Sequence, residues 1–240
     1  GTLTVNQDLI VSGSTVTVHS TVVNIKDPVF TLGGHTDQAD ENLRERLLEI
    51  VASGFAAHGL SSSEQPISAQ AEVIQTLATK CMSSAFVTWS HRMTTEYIDR
   101  WAGAELRNEF LAELQEGRRV GSTALATALA DKSGKELLPI TFEEVDGEFL
   151  ISGVIPWASN LYEDTLVVFA ARNETTEERV IFASLLSEAG TSVKPAGELL
   201  GLNATSSGTV KFDGLRLAAK NVLTRDVDLF LGQMRTRILV

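Results

Sequence analysis

The chain has 240 residues, 43 % of them hydrophobic and 21 % charged, and a formal net charge of −11 at pH 7. This composition favours one or two packed domains and excludes wholesale disorder. The negative charge argues against general binding to nucleic acids or anionic membranes, because both need positive surfaces. The single cysteine, Cys81, cannot form an internal disulfide, and we expect it to be a small buried hydrophobe. No apolar run reaches the roughly 18 residues of a membrane span and no signal peptide is visible, so we expect a soluble, cytoplasmic protein.

Residues 1–34 are rich in valine and threonine and alternate in hydrophobicity with a period of two. Val16 and Val18 share one face, for example, and this pattern predicts short strands joined by tight turns. Such a thin apolar face buries little surface alone, so we expect the segment, residues 1–36, to pair with copies of itself. Its phrases LTVNQDLIVSG, STVTVHSTVVNI and KDPVFTLGG resemble the strand repeats of bacteriophage tail fibres and other virion proteins, in which the chain wraps into a trimer. A β-rich leader or an engineered scaffold would have the same texture.

From Asp40 the hydrophobic period becomes helical, which predicts an α-helical domain over residues 40–118. The first predicted helix ends before Gly59, and its inward stripe consists of Leu43, Leu47, Leu48, Val51 and Phe55. One long second helix is predicted from apolar residues at spacings of four, namely Val73, Leu77, Cys81, Ala85, Trp89, Met93 and Tyr97. His91 lies off that stripe, and we expect it to be partly exposed. A third helix is predicted over AELRNEFLAELQEG, ending at Gly117.

After Gly121 the pattern becomes that of strands, which predicts an antiparallel β-barrel domain over residues 119–224. STALATALA is typical of a small apolar strand, and LPITFEEVDGEFLISGVI predicts a hairpin that turns at Asp146-Gly147. DTLVVFAA and RVIFASLL are continuous apolar runs typical of buried strands. The last segment, residues 225–240, is predicted to be the start of a truncated helix whose inward side consists of Leu229, Phe230, Met234 and Ile238. The predicted fold class is therefore α+β.

The stretch GEFLISGVIPWASN places Trp157 between a proline and a short Ala-Ser-Asn run, where a strand should end. A tryptophan there either plugs the end of the barrel or stacks on a planar ligand.

Four stretches, in order, carry a resemblance to the acyl-CoA dehydrogenase family. They are AEVIQTLATKCMSSAFVTWSH, AELRNEFLAELQEGRRVGSTAL, GEFLISGVIPWASNLYEDTLVVFAA and GLNATSSGTVKFDGLRLAAKNVL. They are similar to that family's long helix, its passage from helices to barrel, its hairpin with a tryptophan turn, and its closing strand pair. The resemblance covers residues 40–240, roughly the first two domains of the family, and it implies that the third domain, a helical bundle, is missing.

The resemblance implies an FAD site at the end of the hairpin. In the family the tryptophan turn lies against the isoalloxazine ring, and a hydroxyl two residues later bonds the flavin near N5. The matching positions here are Trp157, Ala158 and Ser159. An indole offers a large flat contact, and a hydroxyl can donate a hydrogen bond to the ring.

A second strand of the resembled family bonds the pyrimidine edge of the flavin, and the matching positions are Leu125, Ala126 and Thr127. Ala126 stands where the family has a threonine, so that side-chain contact is lost and backbone contacts would remain. LADKSGK replaces the family's glycine-rich run, which approaches the pyrophosphate and the substrate. This departure puts the acyl-CoA contact in doubt.

The resemblance assigns the catalytic base to the missing bundle, so no catalytic residue is predicted in this chain, and no metal ligands are predicted either. Three carboxylates near the hairpin turn, Glu143, Glu144 and Asp146, are interpreted as a solvated edge.

Three hypotheses for the function remain open. The first is an acyl-CoA dehydrogenase-like flavoprotein, or a fragment of one, that oxidises an acyl thioester and passes electrons to an electron-transfer flavoprotein; the flavin monooxygenase branch is its variant. We expect such a protein to be impaired as it stands and to form homo-oligomers. The second is a virion fibre or baseplate component with a non-catalytic folded domain. The third is a chain that joins unrelated pieces near residue 37.

Overall fold

The structure is a computed structural model, and it describes residues 39–199 and 201–238. The predicted strand segment, residues 1–36, lies outside the described residues, so its resemblance to tail fibres stays a prediction. Helices come first along the described chain: α1 Ala39–Ala52, α2 Ile67–Ala78, α3 Met82–Trp101 and α4 Ala104–Gln115. Among the described residues, none of these or the later helices combines enough length with enough apolar character to span a bilayer.

The first helix is shorter than its sequence pattern predicted. Leu43, Leu47 and Val51 are buried, as their spacing of four requires. Phe55, predicted to continue the stripe, is instead 52 % exposed, because α1 ends at Ala52 and Gly54 adopts a left-handed conformation (φ 85°). The turn redirects the chain before Phe55, so the side chain no longer follows the helix face.

The predicted long second helix is two helices, which corrects the sequence interpretation. The chain breaks between Thr79 and Cys81, and Cys81 is extended (φ −154°) at the N-cap of α3. Its Sγ accepts a hydrogen bond from the backbone N–H of Ser84 (3.4 Å). Cys81 is therefore a half-buried cap and not a buried hydrophobe. A cap of this kind satisfies one of the free N–H groups at a helix start, and spacing alone does not reveal it.

The helix predicted over AELRNEFLAELQEG is α4, which covers AELRNEFLAELQ and buries Leu106, Phe110 and Leu114. It ends where Gly117 turns with φ 70°, and a Cβ there would lie 2.4 Å from the carbonyl oxygen of Leu48. The close approach of α1 to this turn therefore requires glycine.

The second half of the described chain forms one eight-stranded sheet. Its strands are β1 Gly121–Ala124, β2 Ile140–Val145, β3 Glu148–Ala158, β4 Leu166–Arg172, β5 Arg179–Leu185, β6 Thr191–Pro195, β7 Gly208–Leu217 and β8 Val222–Thr224. The order along the sheet is β6-β7-β3-β2-β4-β5-β8, and β1 pairs with β4. The helices and the sheet confirm the α+β class.

The sheet is mixed, whereas the sequence pattern predicted only antiparallel strands. β1 runs parallel to β4 from Gly121↔Leu166 to Ala124↔Phe169, and β2 meets β4 in parallel at one residue pair. Parallel neighbours need a long crossover, and the chain between β1 and β4 supplies one. It contains the helix α5 Ala126–Lys132, where STALATALA had predicted a continuing strand. Alanine and leucine favour helix at least as well as strand, so the apolar run was ambiguous.

The β2–β3 hairpin is as predicted. Val145 pairs with Glu148, and the two-residue turn uses Asp146 (φ 54°) and Gly147 (φ 83°). Two consecutive left-handed residues match the right-handed twist of the flanking strands.

The final helix, α6 Val227–Ile238, buries Phe230, Leu231 and Met234. Leu229 is 48 % exposed, so its predicted inward position was wrong. The ring of Phe230 lies 5.2 Å from the rings of both Tyr97 and Trp101. One apolar cluster joins side chains of α3, α4, β4, β5 and α6. The predicted domain limits stay predictions.

Candidate functional site

His91 of α3 is fully buried, so the prediction that it is partly exposed was wrong. Its ring bonds α4 and β1 beside the candidate site, which is the cavity described below. Its Nδ1 accepts a hydrogen bond from the N–H of Gly121 (3.0 Å), which leaves Nε2 to donate to the carbonyl oxygen of Leu114 (3.0 Å). Burial lowers the pKa of His91 from 6.5 to about 4, despite the opposing bond to Leu114. The ring is therefore neutral at pH 7 and acts as a fixed cross-link.

We expect the buried His91 to make the fold less stable in mild acid. Above pH 6.5 the imidazole is neutral in both states and adds no pH dependence. Between pH 6.5 and about 4 only the unfolded chain takes up the proton, so the free energy of unfolding falls by about 3 kcal/mol in total. Urea unfolding at pH 7, 5.5 and 4.5 measures this loss.

The variant His91→Gln is the control, because an amide can make both hydrogen bonds and does not titrate in this range. Its stability should change less with pH than that of the wild type. Parallel pH profiles of the two proteins would show that the folded His91 is protonated as easily as the unfolded one.

A cavity of about 210 Å³ lies between α3 and the ends of β1 and β3. It is lined by Phe86, Trp89, Ser90, Tyr97, Thr123, Leu125, Ala126, Leu129, Trp157, Ala158 and Ser159. The structure thus brings together five of the six residues that the resemblance selected, from two separate stretches of the chain. The sixth, Thr127, does not line the cavity, and its Oγ1 is buried without a partner in the described part of the chain.

Aromatic side chains form much of the cavity wall. Trp157 is 48 % exposed, so its indole is not buried in the core at the end of β3. From α3, Phe86 and Trp89 stack on each other with their ring centroids 5.7 Å apart and their planes at 26°. Such flat surfaces suit a planar aromatic ligand.

Sequence reasoning placed Trp89 and Tyr97 on an apolar stripe of core residues, and both do pack with the core. It missed that the same face of α3 also lines the cavity. Phe86, Trp89, Ser90 and Tyr97 are spaced by three, four and eleven residues, so they share one helix face. The sequence feature that distinguishes a cavity wall from a purely apolar core stripe is the serine, Ser90, among these aromatic residues.

The polar groups of the cavity are neutral. The Tyr97 hydroxyl lies 3.2 Å from Thr123 Oγ1, and burial raises the pKa of Tyr97, so the phenol stays protonated. Ser90 Oγ accepts a hydrogen bond from the N–H of Thr123 (3.3 Å). Ser159 is 4 % exposed, and its Oγ lies 2.6 Å from Ser207 Oγ. Every lining residue found in the described part of the chain is uncharged.

Several solved structures share this fold. Glutaryl-CoA dehydrogenase from Mycobacterium smegmatis superposes with a TM-score of 0.68 at 16 % identity, covering 79 % of this chain and 50 % of that one. Butyryl-CoA dehydrogenase from Megasphaera elsdenii gives a TM-score of 0.68 at 15 % identity, with coverages of 83 % and 58 %. PigA, in a structure with FAD and proline, gives 0.67 at 14 %, with coverages of 83 % and 55 %. The fold is that of acyl-CoA dehydrogenases.

At these identities the likeness establishes the fold alone, and the chain spans between 50 % and 58 % of the length of these acyl-CoA dehydrogenase-like structures. No family model matches the sequence, and no curated protein matches it.

The three carboxylates of the hairpin lie away from this cavity. Glu143, Glu144 and Asp146 are exposed, and Glu144 pairs with Arg225 (2.6 Å), which confirms the prediction of a solvated edge. Glu143 and Glu144 lie on β2 opposite the first residues of β3, and Asp146 lies in the turn. Trp157 is near the other end of β3, at least roughly 20 Å away along an extended strand. None of the three can act as a base on a ligand in the cavity.

Proposed function

We propose that the cavity receives the isoalloxazine ring of FAD, in an acyl-CoA dehydrogenase-like flavoprotein that oxidises an acyl thioester at its α,β-carbons. The observation that carries this proposal is the half-exposed indole of Trp157 beside an aromatic slot, with Ala158 and Ser159 next to it in the same wall. The similar structures add weight, since PigA was solved with FAD and two others are acyl-CoA dehydrogenases.

The residues present fit a flavin ring. Aromatic faces with a few neutral hydroxyls suit an uncharged heterocycle that carries hydrogen-bonding atoms on its edge. A cavity of about 210 Å³ is smaller than the sites that enclose whole drug-sized ligands, which are roughly 300–1,000 Å³. The ring system would therefore occupy the cavity, and the ribityl and adenosine parts would lie outside it.

Each part of the cavity has a role in this proposal. Trp157 would cover one face of the ring, Phe86 and Trp89 would exclude water, and Ser159 would fix the ring orientation. A bound FAD would supply the acceptor for the electron pair taken from the substrate. The cavity has no ionised lining group among the described residues, so the resemblance, which assigns the base to a following helical bundle, remains the best account of proton removal.

The partners follow from the same resemblance. Electrons would leave to an electron-transfer flavoprotein, and the protein would act as a homo-oligomer. The monooxygenase branch is the alternative chemistry, because LADKSGK replaces the run that contacts acyl-CoA in the family. The virion hypothesis rests on residues 1–34 alone, and neither the described fold nor the similar structures support it.

The proposal is tested by adding FAD to the protein, removing the excess, and recording the visible spectrum. We expect a retained flavin spectrum that shifts when acyl-CoA is added. Trp157→Ala should weaken FAD binding about 5- to 150-fold, because stacking on an aromatic side chain contributes about 1–3 kcal/mol. Ser159→Ala should change the affinity for FAD by about two- to tenfold, the value of one neutral hydrogen bond.

Phe55→Ala is the matched control, because Phe55 is an aromatic side chain of similar exposure outside the cavity. It should bind FAD like the wild type. A colourless protein after removal of excess FAD would rule out the flavin proposal, and equal FAD binding by Trp157→Ala and Phe55→Ala would rule out the assigned position of the ring.

A further inference from the structure

Three hydroxyl side chains stand in a row behind the cavity wall, and we call them the hydroxyl chain: Ser159, Ser207 and Thr205. Ser159 Oγ lies 2.6 Å from Ser207 Oγ, which lies 2.7 Å from Thr205 Oγ1. Thr205 Oγ1 in turn lies 2.8 Å from the carbonyl oxygen of Leu202. All three residues are buried, with exposed fractions of 4 %, 9 % and 1 %.

The protons of the hydroxyl chain can be assigned by counting. Three short oxygen–oxygen contacts each need one proton between them, and three hydroxyls carry one proton each. The carbonyl of Leu202 has no proton, so Thr205 must donate to it. Thr205 then accepts from Ser207, and Ser207 accepts from Ser159.

The reverse direction leaves a contact without a proton. If Thr205 donated to Ser207, its oxygen and the Leu202 carbonyl oxygen would face each other at 2.8 Å with no hydrogen between them. Two lone pairs at that distance repel, and burial keeps water from relieving the contact. The Leu202 carbonyl therefore sets the direction of the whole chain.

From this direction we infer that the Ser159 hydroxyl presents only a hydrogen-bond acceptor to the cavity, so it selects a ligand atom that carries a hydrogen. The hydroxyl of Ser159 donates its proton to Ser207 Oγ, and the Ser159 carbonyl oxygen accepts a hydrogen bond from Ser122 Oγ (2.6 Å). Leu202, Thr205 and Ser207 are then positioning residues, which act on the ligand through Ser159.

Applied to a flavin, this inference rests on the proposed function and predicts that the site prefers one redox state of the ring. The reduced ring carries a hydrogen on N5, whereas N5 of the oxidised ring carries only a lone pair. Ser159 Oγ then accepts a hydrogen bond from N5 of the reduced ring. In the oxidised ring, a lone pair of Ser159 Oγ faces the lone pair of N5. This reverses the donor role that the sequence analysis gave to Ser159, and the site favours reduced FAD.

The decisive variant is Thr205→Val, which keeps the side-chain shape and removes the hydroxyl that donates to the Leu202 carbonyl and so sets the direction of the hydroxyl chain. Ser207 becomes free to donate to Ser159, and Ser159 becomes free to donate to the ligand. The dissociation constants of oxidised and dithionite-reduced FAD are measured anaerobically for each protein. We expect the preference for reduced FAD to fall about two- to tenfold in Thr205→Val, the value of one hydrogen bond.

Two control variants separate the direction of the chain from general damage. Thr205→Ser keeps the hydroxyl and should keep the wild-type ratio of the two dissociation constants. Ser122→Ala removes another buried hydroxyl that bonds Ser159 but lies outside the hydroxyl chain, and it should also keep the ratio. A ratio in Thr205→Val equal to that of the wild type would overturn the inference.

Neutron diffraction on the deuterium-exchanged protein tests the direction without any flavin. We expect the deuterium between Ser159 and Ser207 to be bonded to Ser159 Oγ. A deuterium bonded to Ser207 and pointing at Ser159 would overturn the inference. A protein that binds no FAD would overturn the proposed function alone, because the neutron result still decides the direction of the hydroxyl chain.

Discussion

Replacing Glu96 by glutamine is expected to lower the free energy of unfolding by about 3–5 kcal/mol, the cost of breaking a buried ion pair from one side. Glu96 is completely buried on α3. Its Oε1 accepts from Ser61 Oγ (2.5 Å) and faces Arg237 (3.1 Å). Its Oε2 accepts from the N–H of Ser61 (3.0 Å) and faces Arg92 (3.5 Å). The carboxylate thus joins the loop after α1, α3 and α6.

The effect is large because glutamine would leave the buried positive charge of the Arg92 guanidinium without a negative partner. Arg92 is 1 % exposed, and burial lowers its pKa while the charge of Glu96 opposes that change. The Gly59 carbonyl also accepts from Arg92 (2.7 Å), but a neutral oxygen does not replace a negative charge.

Urea unfolding at pH 7 measures the effect of Glu96→Gln. The control is Glu105→Gln on α4, whose exposed carboxylate lies 3.6 Å from Lys220. A surface pair of this kind contributes at most about 1 kcal/mol. Equal losses in the two variants would show that the Glu96 cluster is solvated and that the three elements are not joined through it.

The second large effect is expected for Asn160→Asp, which should also cost about 3–5 kcal/mol at pH 7. Asn160 is fully buried directly after Ser159, in a left-handed conformation (φ 62°). Its Nδ2 donates to the carbonyl oxygens of Val87 (2.9 Å) and Gly121 (3.0 Å), so it holds α3 against β1 beside the cavity. Aspartate has the same shape, but it places a charged oxygen against two carbonyl oxygens.

The pH dependence identifies the cause of this loss. A buried aspartate that faces acceptors has its pKa raised above the unfolded value, so its cost is small below that unfolded value and grows as the pH rises. The stability difference between Asn160→Asp and the wild type should therefore be larger at pH 7 than at pH 4. Using the difference at each pH cancels the contribution of His91, which both proteins share.

Two further variants control for shape and for aspartate chemistry. Asn160→Gly keeps the left-handed conformation and removes the amide, so it should cost less than Asn160→Asp at pH 7. Asn173→Asp is expected to be nearly neutral, because Asn173 Oδ1 accepts from the N–H groups of Thr175 and Thr176, and an aspartate oxygen can accept in the same way. A pH-independent loss in Asn160→Asp would contradict the buried contact with two carbonyls.

The parts of the fold that were predictable from the sequence are those with strong local signals. The Asp146-Gly147 turn follows from the need for two left-handed residues, and α4 from its apolar period and the glycine after it. Trp157 was selected by the residues around it, and the structure places it at a cavity.

The remaining features depend on contacts between distant residues. Cys81 continues an apolar spacing of four, and only its capping bond to Ser84 explains the helix break. His91 lies off the stripe of α3, but α4 and β1 cover that face and bury it. The same limit applies to the site, since the hydroxyl chain joins Ser159 to residues 46 and 48 positions later in the sequence.

The central claim is that the slot beside Trp157 receives the flavin ring, and a crystal structure of the full chain with FAD tests it most directly. The account predicts the isoalloxazine ring in van der Waals contact with the Trp157 indole, about 3.5–4 Å away, with N5 on the side of Ser159. An FAD molecule bound elsewhere, or a ring that turns its dimethylbenzene edge to Ser159, would contradict it.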